Sequence, residues 1–313
     1  MPNPTFSVII PAYNAERTLR TTVASVLDQN EKSLEIIIVD DGSSDGTLHM
    51  MLDLACTDMR IRAVSQPNSG VSATRNFGAS IARGELLAFL DADDQWHADK
   101  LQRHRELHET NPSIHASYAV AQFCEDTRGT IQPGPSLSTV SQNAQLAVHT
   151  IGDVVIENPV CTTSNFVISR CVFADLGGFS ESLRYAEDQE FLARLVSQDY
   201  RLCGINRALV KYRMSTDGLS CDLEAMLNGW RSFAGDWLDG GDLQRGEATY
   251  CRYLARRALR SGAKISAVRS YVRQGLTADR VSFMSAHSRS LLTIIGAYLG
   301  GMLPASVRRT VFA

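Results

Sequence analysis

The chain has 313 residues, a length that favours one large domain or one domain with an extension. Its hydrophobic (44%) and charged (21%) fractions match soluble globular proteins and exclude disordered, collagen-like and polytopic membrane chains. The net charge of −3 gives no strong attraction to nucleic acid, so no nucleic-acid partner is expected. That average combines +10 in residues 245–313 with −13 in residues 1–244, which indicates different surroundings for the two parts.

The seven cysteines are scattered singly, and their odd number argues against a closed disulfide framework. We therefore expect reduced thiols that pack as small hydrophobic side chains. The first residues lead directly into an apolar strand, without the basic segment and long apolar run of a secretory signal. These features predict a cytoplasmic protein.

Strands alternate with helices along the first 110 residues. Short apolar runs predict strands at residues 6–10, 34–39, 61–64 and 86–90, of which the first two are rich in β-branched residues and the third is weaker. Helical spacing predicts helices between them, and Asn14 is a candidate cap for the first. This alternation is typical of an α/β fold with a single, mainly parallel sheet covered by helices on both faces.

The pattern weakens in the second half of the chain. We predict an irregular, lid-like segment over residues 125–164 with a helix at 141–156, and then strands at 165–169 and 202–212 around a helix at 187–198. Residues 222–313 are helical, with breaks predicted near 240–241, 262, 275 and 304. We place the boundary near residue 220, which gives a catalytic domain at 1–220 and a helical extension at 221–313.

Polar clusters follow each of the first four predicted strands, at residues 11–14, 40–45, 68–76 and 91–94. In an open α/β sheet, ligands bind beyond the carboxyl ends of the strands. The four clusters therefore predict one shared site.

Asp91 and Asp93 form an Asp-x-Asp pair at a strand end, where two hard oxygen ligands suit Mn²⁺ or Mg²⁺. A helix cap or a solvated acidic turn would give the same pattern, since Asp favours both. A phosphotransferase of haloacid-dehalogenase type also places Asp-x-Asp at a strand end. It would have Thr or Val at the position of Gln95 and would usually carry the pair on its first strand.

Asp40 and Arg75 are the other candidates that the residue types suggest. A carboxylate at position 40 can accept hydrogen bonds from a base or a ribose, or it can cap the next helix, a role that Ser43, Ser44 or Asp45 could fill equally well. Arg75 suits a phosphate through its bidentate fork, or it is a surface arginine.

Four segments in register resemble glycosyltransferase family 2, whose members have the GT-A fold. They are Ser7-Val-Ile-Ile-Pro-Ala-Tyr-Asn14, Ile36-Ile-Ile-Val-Asp-Asp-Gly-Ser-Ser-Asp-Gly-Thr47, Asn68-Ser-Gly-Val-Ser-Ala-Thr-Arg-Asn76 and Gly84-Glu-Leu-Leu-Ala-Phe-Leu-Asp-Ala-Asp-Asp94. The resemblance covers roughly residues 6–215 and implies a nucleotide-sugar donor, with UDP as the first expectation. The donor contacts that it implies are Pro11, Ala12 and Tyr13 at the nucleobase, Asp40 at base or ribose, Asn68 and Arg75 at the nucleotide, and Arg213 at the phosphates. It makes Asp93 the principal metal ligand beside Asp91, with Asp94 as an extra candidate.

The segment Gly177-Gly-Phe-Ser-Glu-Ser-Leu-Arg-Tyr-Ala-Glu-Asp-Gln-Glu-Phe191 resembles the family's catalytic motif. The resemblance implies that Asp188 is the general base that deprotonates the acceptor hydroxyl, in a single displacement that inverts the anomeric carbon. Read without the family, Glu187 and Asp188 are first-turn acids that favour the helix dipole. The Gln/Arg-x-x-Arg-Trp motif of processive synthases is missing, which favours addition of single sugars.

The C-terminal part is basic and helical. Its arginines form either a solvated surface of packed helices or a patch that binds an anionic membrane. The membrane patch would suit an enzyme that acts on saccharide or lipid-linked saccharide acceptors in cell-surface polysaccharide or glycolipid synthesis. Residues 291–303 are apolar but too few to span a bilayer, so they predict a buried or an interfacial helix. Two other functions stay open: a non-catalytic relative that binds nucleotide sugars, and the phosphotransferase.

Overall fold

A computed structural model of the chain describes residues 3–127, 130–133, 149–214, 218 and 221–302, with backbone alone at 125–127, 130–133 and 302. The described residues form two compact units. The first holds those of Met1–Pro133, Val140–His149 and Pro159–Met214, and the second holds those of Thr150–Asn158 and Ser215–Ala313. The first unit is built on a sheet and the second on helices.

The sheet of the first unit has the strand order β3-β2-β1-β4-β8-β6-β9-β5, with β7 paired to β6. Its strands are β1 (Phe6–Ala12), β2 (Leu34–Asp40), β3 (Ile61–Ser65), β4 (Leu86–Phe89), β5 (Gln95–Trp96), β6 (Ala116–Thr127), β7 (Thr130–Pro133), β8 (Val167–Ser169) and β9 (Leu202–Met214). The first four strands pair in parallel, as the sequence predicted. Beyond β4 the pairing is antiparallel except for β6 with β9, which is parallel.

Helices cover both faces of the parallel part, which confirms the predicted α/β fold. The helices of this unit are α1 (Leu19–Leu27), α2 (Thr47–Thr57), α3 (Val71–Ser80), α4 (Lys100–Thr110), α6 (Arg170–Asp175) and α7 (Glu187–Ser197), with a 3-10 turn at Thr163–Asn165. Alternate residues of β1 and β2 pack with α1 and α2 on one face. On the other face α3 lies so close that a Cβ on Gly78 would be 2.6 Å from Ile9.

The second unit contains α5 (Ile151–Ile156), α8 (Leu223–Ala234), α9 (Gly240–Ser261), α10 (Ile265–Ala278), α11 (Arg280–Met284) and α12 (Ser288–Leu299), followed by a 3-10 turn at Gly300–Met302. The fully buried Trp230 donates from its indole N–H to the Val155 carbonyl at 2.8 Å and so fastens α5 to α8. Of the predicted helix 141–156, the part before residue 149 lies outside the described residues. In the described part of the chain, no helix is both long enough and apolar enough to cross a membrane.

One predicted helix break is wrong. Helix α10 continues through Gly275, where a Cβ would lie 2.6 Å from Phe283 and 2.9 Å from Cys251, so this glycine permits close helix packing. The chain breaks instead at Asp279, whose carboxylate accepts from the Val281 and Ser282 N–H groups and caps α11.

Candidate functional site

The turns after β1 and β2 are bonded to each other. Ala12 lies opposite Asp40 in the parallel pair, and the Ala12 carbonyl accepts from the Asp41 N–H at 2.8 Å. Asn14 donates from its backbone to Ser43 Oγ at 2.9 Å, and its side chain accepts from the Ser44 N–H at 2.8 Å. Asn14 therefore joins the two turns instead of capping α1, which begins only at Leu19.

The three residues predicted to contact the nucleobase are consecutive at the end of β1 and differ in exposure. Pro11 and Ala12 are buried at the end of β1, whereas the Tyr13 side chain is 56% exposed. Tyr13 is thus the member of the three whose ring is open to a ligand.

Asp40 and Asp41 are both buried and take different partners. Asp40 accepts from the Ser43 N–H at 3.2 Å and from Ser65 Oγ at 3.0 Å. Asp41 accepts from the backbone N–H groups of Ser69 (2.8 Å) and Gly70 (3.0 Å). Asp41 thus fixes the loop that carries Asn68 into α3, a role that sequence reasoning did not assign to it.

Gly42 allows that loop to approach the β2 turn. Its φ is +73°, and a Cβ there would lie 2.9 Å from the backbone nitrogen of Asn68. Only glycine combines this left-handed conformation with such a contact at low cost. The Asn68 side chain itself is exposed next to the Asp41 turn.

Arg75 connects the Asp-x-Asp turn with the helix that carries Asp188. Its guanidinium is buried and donates to Asp91 Oδ1 at 2.7 Å and to Glu187 Oε1 at 2.8 Å. It also lies over the ring of Phe179, 5.6 Å from the centroid. Burial alone would lower the pKa of Arg75, but the charges of Asp91 and Glu187 outweigh burial and raise it. Arg75 therefore stays charged.

Glu187 is a second site residue that sequence reasoning did not assign beyond the helix dipole. It is the first residue of α7, and burial together with the neighbouring Asp188 charge raises the pKa of its carboxyl, against the opposing charge of Arg75. Because 112 positions separate Glu187 from Arg75, no local pattern could have paired them.

The Asp-x-Asp turn is held from two sides. The Asp91 N–H donates to Ser164 Oγ at 3.0 Å. From β9, Arg213 donates from Nε to the Asp93 carbonyl and from its backbone N–H to Asp94 Oδ1, both at 2.8 Å. The structure thus brings Arg213 to the turn and places Asp94 inside the protein as an anchor for β9.

The carboxylates of this turn lie close enough to repel one another. Burial and the Asp91 charge raise the pKa of Asp93 to about 6, although Arg213 opposes the rise. Burial and both neighbouring carboxylates also raise the pKa of Asp94. A divalent cation would relieve this repulsion, and hard carboxylate oxygens are the donors that Mg²⁺ and Mn²⁺ prefer. Among the described residues no cluster of three or more His, Cys, Asp or Glu side chains could hold a metal ion. Two carboxylates nevertheless fit a cation whose other ligands are phosphate and water.

Asp188 is the second residue of α7 and is half-buried. Its Oδ1 accepts from the Gln189 N–H at 2.9 Å. It lines a small cavity whose other walls are mainly apolar: Val160, Thr163, Phe166, Phe179, Phe191 and Leu192. The preceding residue, Ala186, has φ +63°, a left-handed conformation that is costly for alanine and is often found at functional sites.

The structure therefore brings the predicted residues into one connected set. Arg75 and Glu187 join the Asp-x-Asp turn to Asp188, and Asp41 joins the Asp40 turn to the loop before α3. Such a set can hold an anionic ligand with a cation at one end and a carboxylate base at the other.

Comparisons with known proteins identify the family of the chain. The family model for glycosyl transferase family 2 matches residues 7–177, more than half of the chain. The putative teichuronic acid biosynthesis glycosyltransferase TuaG of Bacillus subtilis (strain 168) is 28% identical over 252 residues, which cover 79% of this chain and 93% of that protein. The amylovoran biosynthesis glycosyltransferase AmsB of Erwinia amylovora is 29% identical over 218 residues, or 67% and 70% of the two chains.

Two solved structures share the fold. TarS of S. aureus (residues 1–349), in complex with UDP-GlcNAc, has a TM-score of 0.58 at 15% identity, covering 91% of this chain and 92% of that one. The mannosyltransferase PcManGT of Pyrobaculum calidifontis, in complex with GDP-Man and Mn²⁺, has a TM-score of 0.57 at 17% identity, covering 99% and 84%. From the family match and the shared fold, we conclude that the chain belongs to glycosyl transferase family 2 and is a glycosyltransferase of GT-A fold.

Proposed function

We propose that this enzyme transfers a sugar, with inversion at the anomeric carbon, from a nucleotide-sugar donor to an acceptor hydroxyl in the synthesis of a cell-surface polysaccharide or glycolipid. The observation that carries the proposal is the bridge by Arg75, which joins the Asp-x-Asp turn to the first turn of the Asp188 helix. Relatives named for teichuronic acid and amylovoran synthesis support the polysaccharide class. A UDP-sugar is our first choice of donor.

The donor would lie along the carboxyl ends of β1, β2 and β4. Tyr13, with Pro11 and Ala12 behind it, would meet the nucleobase, while Asp40 and Asn68 would hold the nucleoside. Asp91 and Asp93 would hold Mn²⁺ or Mg²⁺, which when bound offsets the charge of the diphosphate leaving group. Arg75 and Arg213 add fixed positive charge on either side of that turn, where a diphosphate needs it.

Asp188 would act as the general base. An acceptor hydroxyl is a weak nucleophile until a positioned carboxylate removes its proton. The proton passes to the Asp188 carboxylate as the acceptor oxygen bonds to the anomeric carbon, and the bond from that carbon to the diphosphate oxygen breaks. The guanidinium of Arg75 pairs with Glu187, the residue before Asp188, and so places positive charge close to the proposed base.

Donor binding and transfer are tested separately. Thermal stability is measured with UDP-, GDP- and dTDP-sugars, each with and without Mn²⁺, since a ligand that binds only the folded state raises the melting temperature. We expect a UDP-sugar to give the largest rise, and we expect Asp93→Asn or EDTA to remove most of it. If no nucleotide sugar stabilises the protein, the donor class is wrong.

The base is tested with Asp188→Asn, which should keep the donor-induced thermal shift and lose about 10²-fold or more of the transfer rate. Asp175→Asn, at an exposed position of α6, is the matched control and should leave both measurements unchanged. Near-full transfer by Asp188→Asn would exclude Asp188 as the base. Donor binding by the wild type with neither transfer nor donor hydrolysis would indicate the non-catalytic alternative.

We also propose that the enzyme works in the cytoplasm at the surface of a membrane, where a lipid-linked acceptor would be presented to it. The support is the excess of basic residues in the C-terminal helices.

A further inference from the structure

Helix α12 has an unusual distribution of side chains. The residues that it buries are small or polar: Ser290, Thr293, Gly296 and Ala297. Beyond its first two residues, the side chains that it exposes are large and apolar, each between 42% and 53% exposed: Leu291, Leu292, Ile295, Tyr298 and Leu299. These five positions recur at helical spacing and form one stripe, which we call the α12 face. A helix that only packs on its own domain shows the opposite arrangement.

The inner side of α12 is already satisfied. Ser290 Oγ donates to the Phe283 carbonyl at 2.7 Å, and Thr293 Oγ1 donates to the Arg289 carbonyl at 2.7 Å. The Arg269 Nε donates to the Ala297 carbonyl at 2.9 Å. The helix is therefore fixed in the orientation that directs its large apolar side chains outward, where a contiguous apolar patch marks an interaction site.

Positive charge borders the α12 face at both ends. At its C-terminal end the guanidinium of Arg269 lies 5.7 Å from the centroid of the Tyr298 ring. Near its N-terminal end α12 carries the exposed Arg289. The sequence has no Asp or Glu from residue 280 to residue 313.

We propose that the α12 face is an interfacial membrane anchor that inserts among the headgroups of an anionic lipid bilayer. An apolar helical stripe with cationic borders is the combination that such surfaces bind, because the acyl boundary takes the apolar side chains and the lipid phosphates take the arginines. A second copy of the chain is a less favourable partner for the α12 face, since the arginines of the two copies would approach and repel one another. The inference deepens the proposed work at a membrane and rests on it.

The test is co-sedimentation of the full chain with vesicles of phosphatidylcholine, alone or with about 30% phosphatidylglycerol, at low and high salt. We expect binding to the anionic vesicles that weakens with salt. The double variant Leu291→Asp/Ile295→Asp should bind these vesicles at least about tenfold more weakly than the wild type, because charges that the anionic lipid repels replace two apolar contacts. Both positions are exposed, so folding should be retained.

The matched control is Leu48→Asp/Leu52→Asp, which adds the same charges at the same spacing on an exposed part of α2. It should bind vesicles within about twofold of the wild type. The proposal is wrong if the α12 variant and the control bind equally well, or if the wild-type protein binds neither type of vesicle. A wild-type dimer in sedimentation velocity that the α12 variant dissociates would assign the face to a second copy instead. The donor-induced thermal shift should be the same in all three proteins, so that failure of the anchor is distinguished from failure of the donor site.

Discussion

Replacing Arg75 by methionine should destabilise the first unit strongly, because one buried guanidinium serves two carboxylates. The variant keeps most of the apolar stem and removes the donors at 2.7 Å from Asp91 and 2.8 Å from Glu187. It leaves two carboxylates whose side chains are only 29% and 12% exposed. Removing one partner of a buried ion pair costs about 3–5 kcal/mol. Because Asp91 can regain some water, we expect the lower end, about 3 kcal/mol.

The assay is urea unfolding at neutral pH, supported by calorimetry. For a unit of this size, about 3 kcal/mol corresponds to a fall of roughly 6–12 °C in melting temperature. The double variant Arg75→Met/Glu187→Gln should recover at least about 1 kcal/mol, since it no longer buries an unpaired charge on α7. Arg75→Lys should fall between wild type and Arg75→Met, because one ammonium cannot reproduce the fork that reaches both oxygens.

Two results would contradict a strong role for these ion pairs: an unfolding free energy of Arg75→Met within about 1 kcal/mol of the wild type, or an effect of Glu187→Gln that is the same with and without Arg75. The first result would mean that water replaces the guanidinium, and the second would mean that the ion pair carries no coupling energy.

Two further predictions concern two glycines with positive φ and a buried lysine. Gly42→Ala and Gly70→Ala should each lower the free energy of unfolding by about 1–2 kcal/mol, since both glycines have positive φ. Only Gly42→Ala should also weaken donor binding, because its Cβ would push Asn68, whereas a Cβ on Gly70 meets open space. Equal donor affinities would contradict this. Lys100 is buried 2.9 Å from His104, and burial lowers its pKa to about 7. Between pH 7 and about 10 the unfolded chain therefore holds a proton that the folded chain has lost, so stability should rise with pH, by up to about 1.4 kcal/mol per unit, and Lys100→Met should flatten that rise. Parallel pH profiles of the two proteins in urea unfolding would show that Lys100 does not cause it.

The parallel half of the sheet was predictable because β1, β2 and β4 are short, buried, apolar runs that end in polar turns, and β1 and β2 are also rich in β-branched residues. The antiparallel half was less so: the two-residue strand β5 and the three-residue strand β8 are too short for a periodic signal, and their place depends on partners far away in the chain. The segment 125–164 was predicted as irregular and lid-like with a helix at 141–156. In its described parts α5 agrees with the end of that helix, whereas the end of β6 and β7 were not predicted.

At the site, sequence reasoning gave residue types and order, and the structure gave the partners. Whether Asp40 only caps the next helix was open; Asp45 provides the first N–H acceptor of α2, at 3.0 Å from the Thr47 nitrogen, and Asp40 bonds to Ser43 and Ser65 instead. The roles of Asp41 and Glu187 depend on contacts between motifs, which the spacing within any one motif does not encode.

The bond from Trp230 to Val155 has a consequence for synthesis of the chain on the ribosome. Helix α5 leaves the ribosome before its partner does, because Trp230 follows Val155 by roughly 75 residues, a delay of about 4–15 s at ordinary elongation rates. During that interval Val154 and Val155, which end fully buried, have neither the α8 bond nor the packing of α9 on α5. A shortened chain that stops at residue 214 would make this transient state permanent. We therefore expect such a chain to need a chaperone or to aggregate, even though its sheet and its candidate active site are complete.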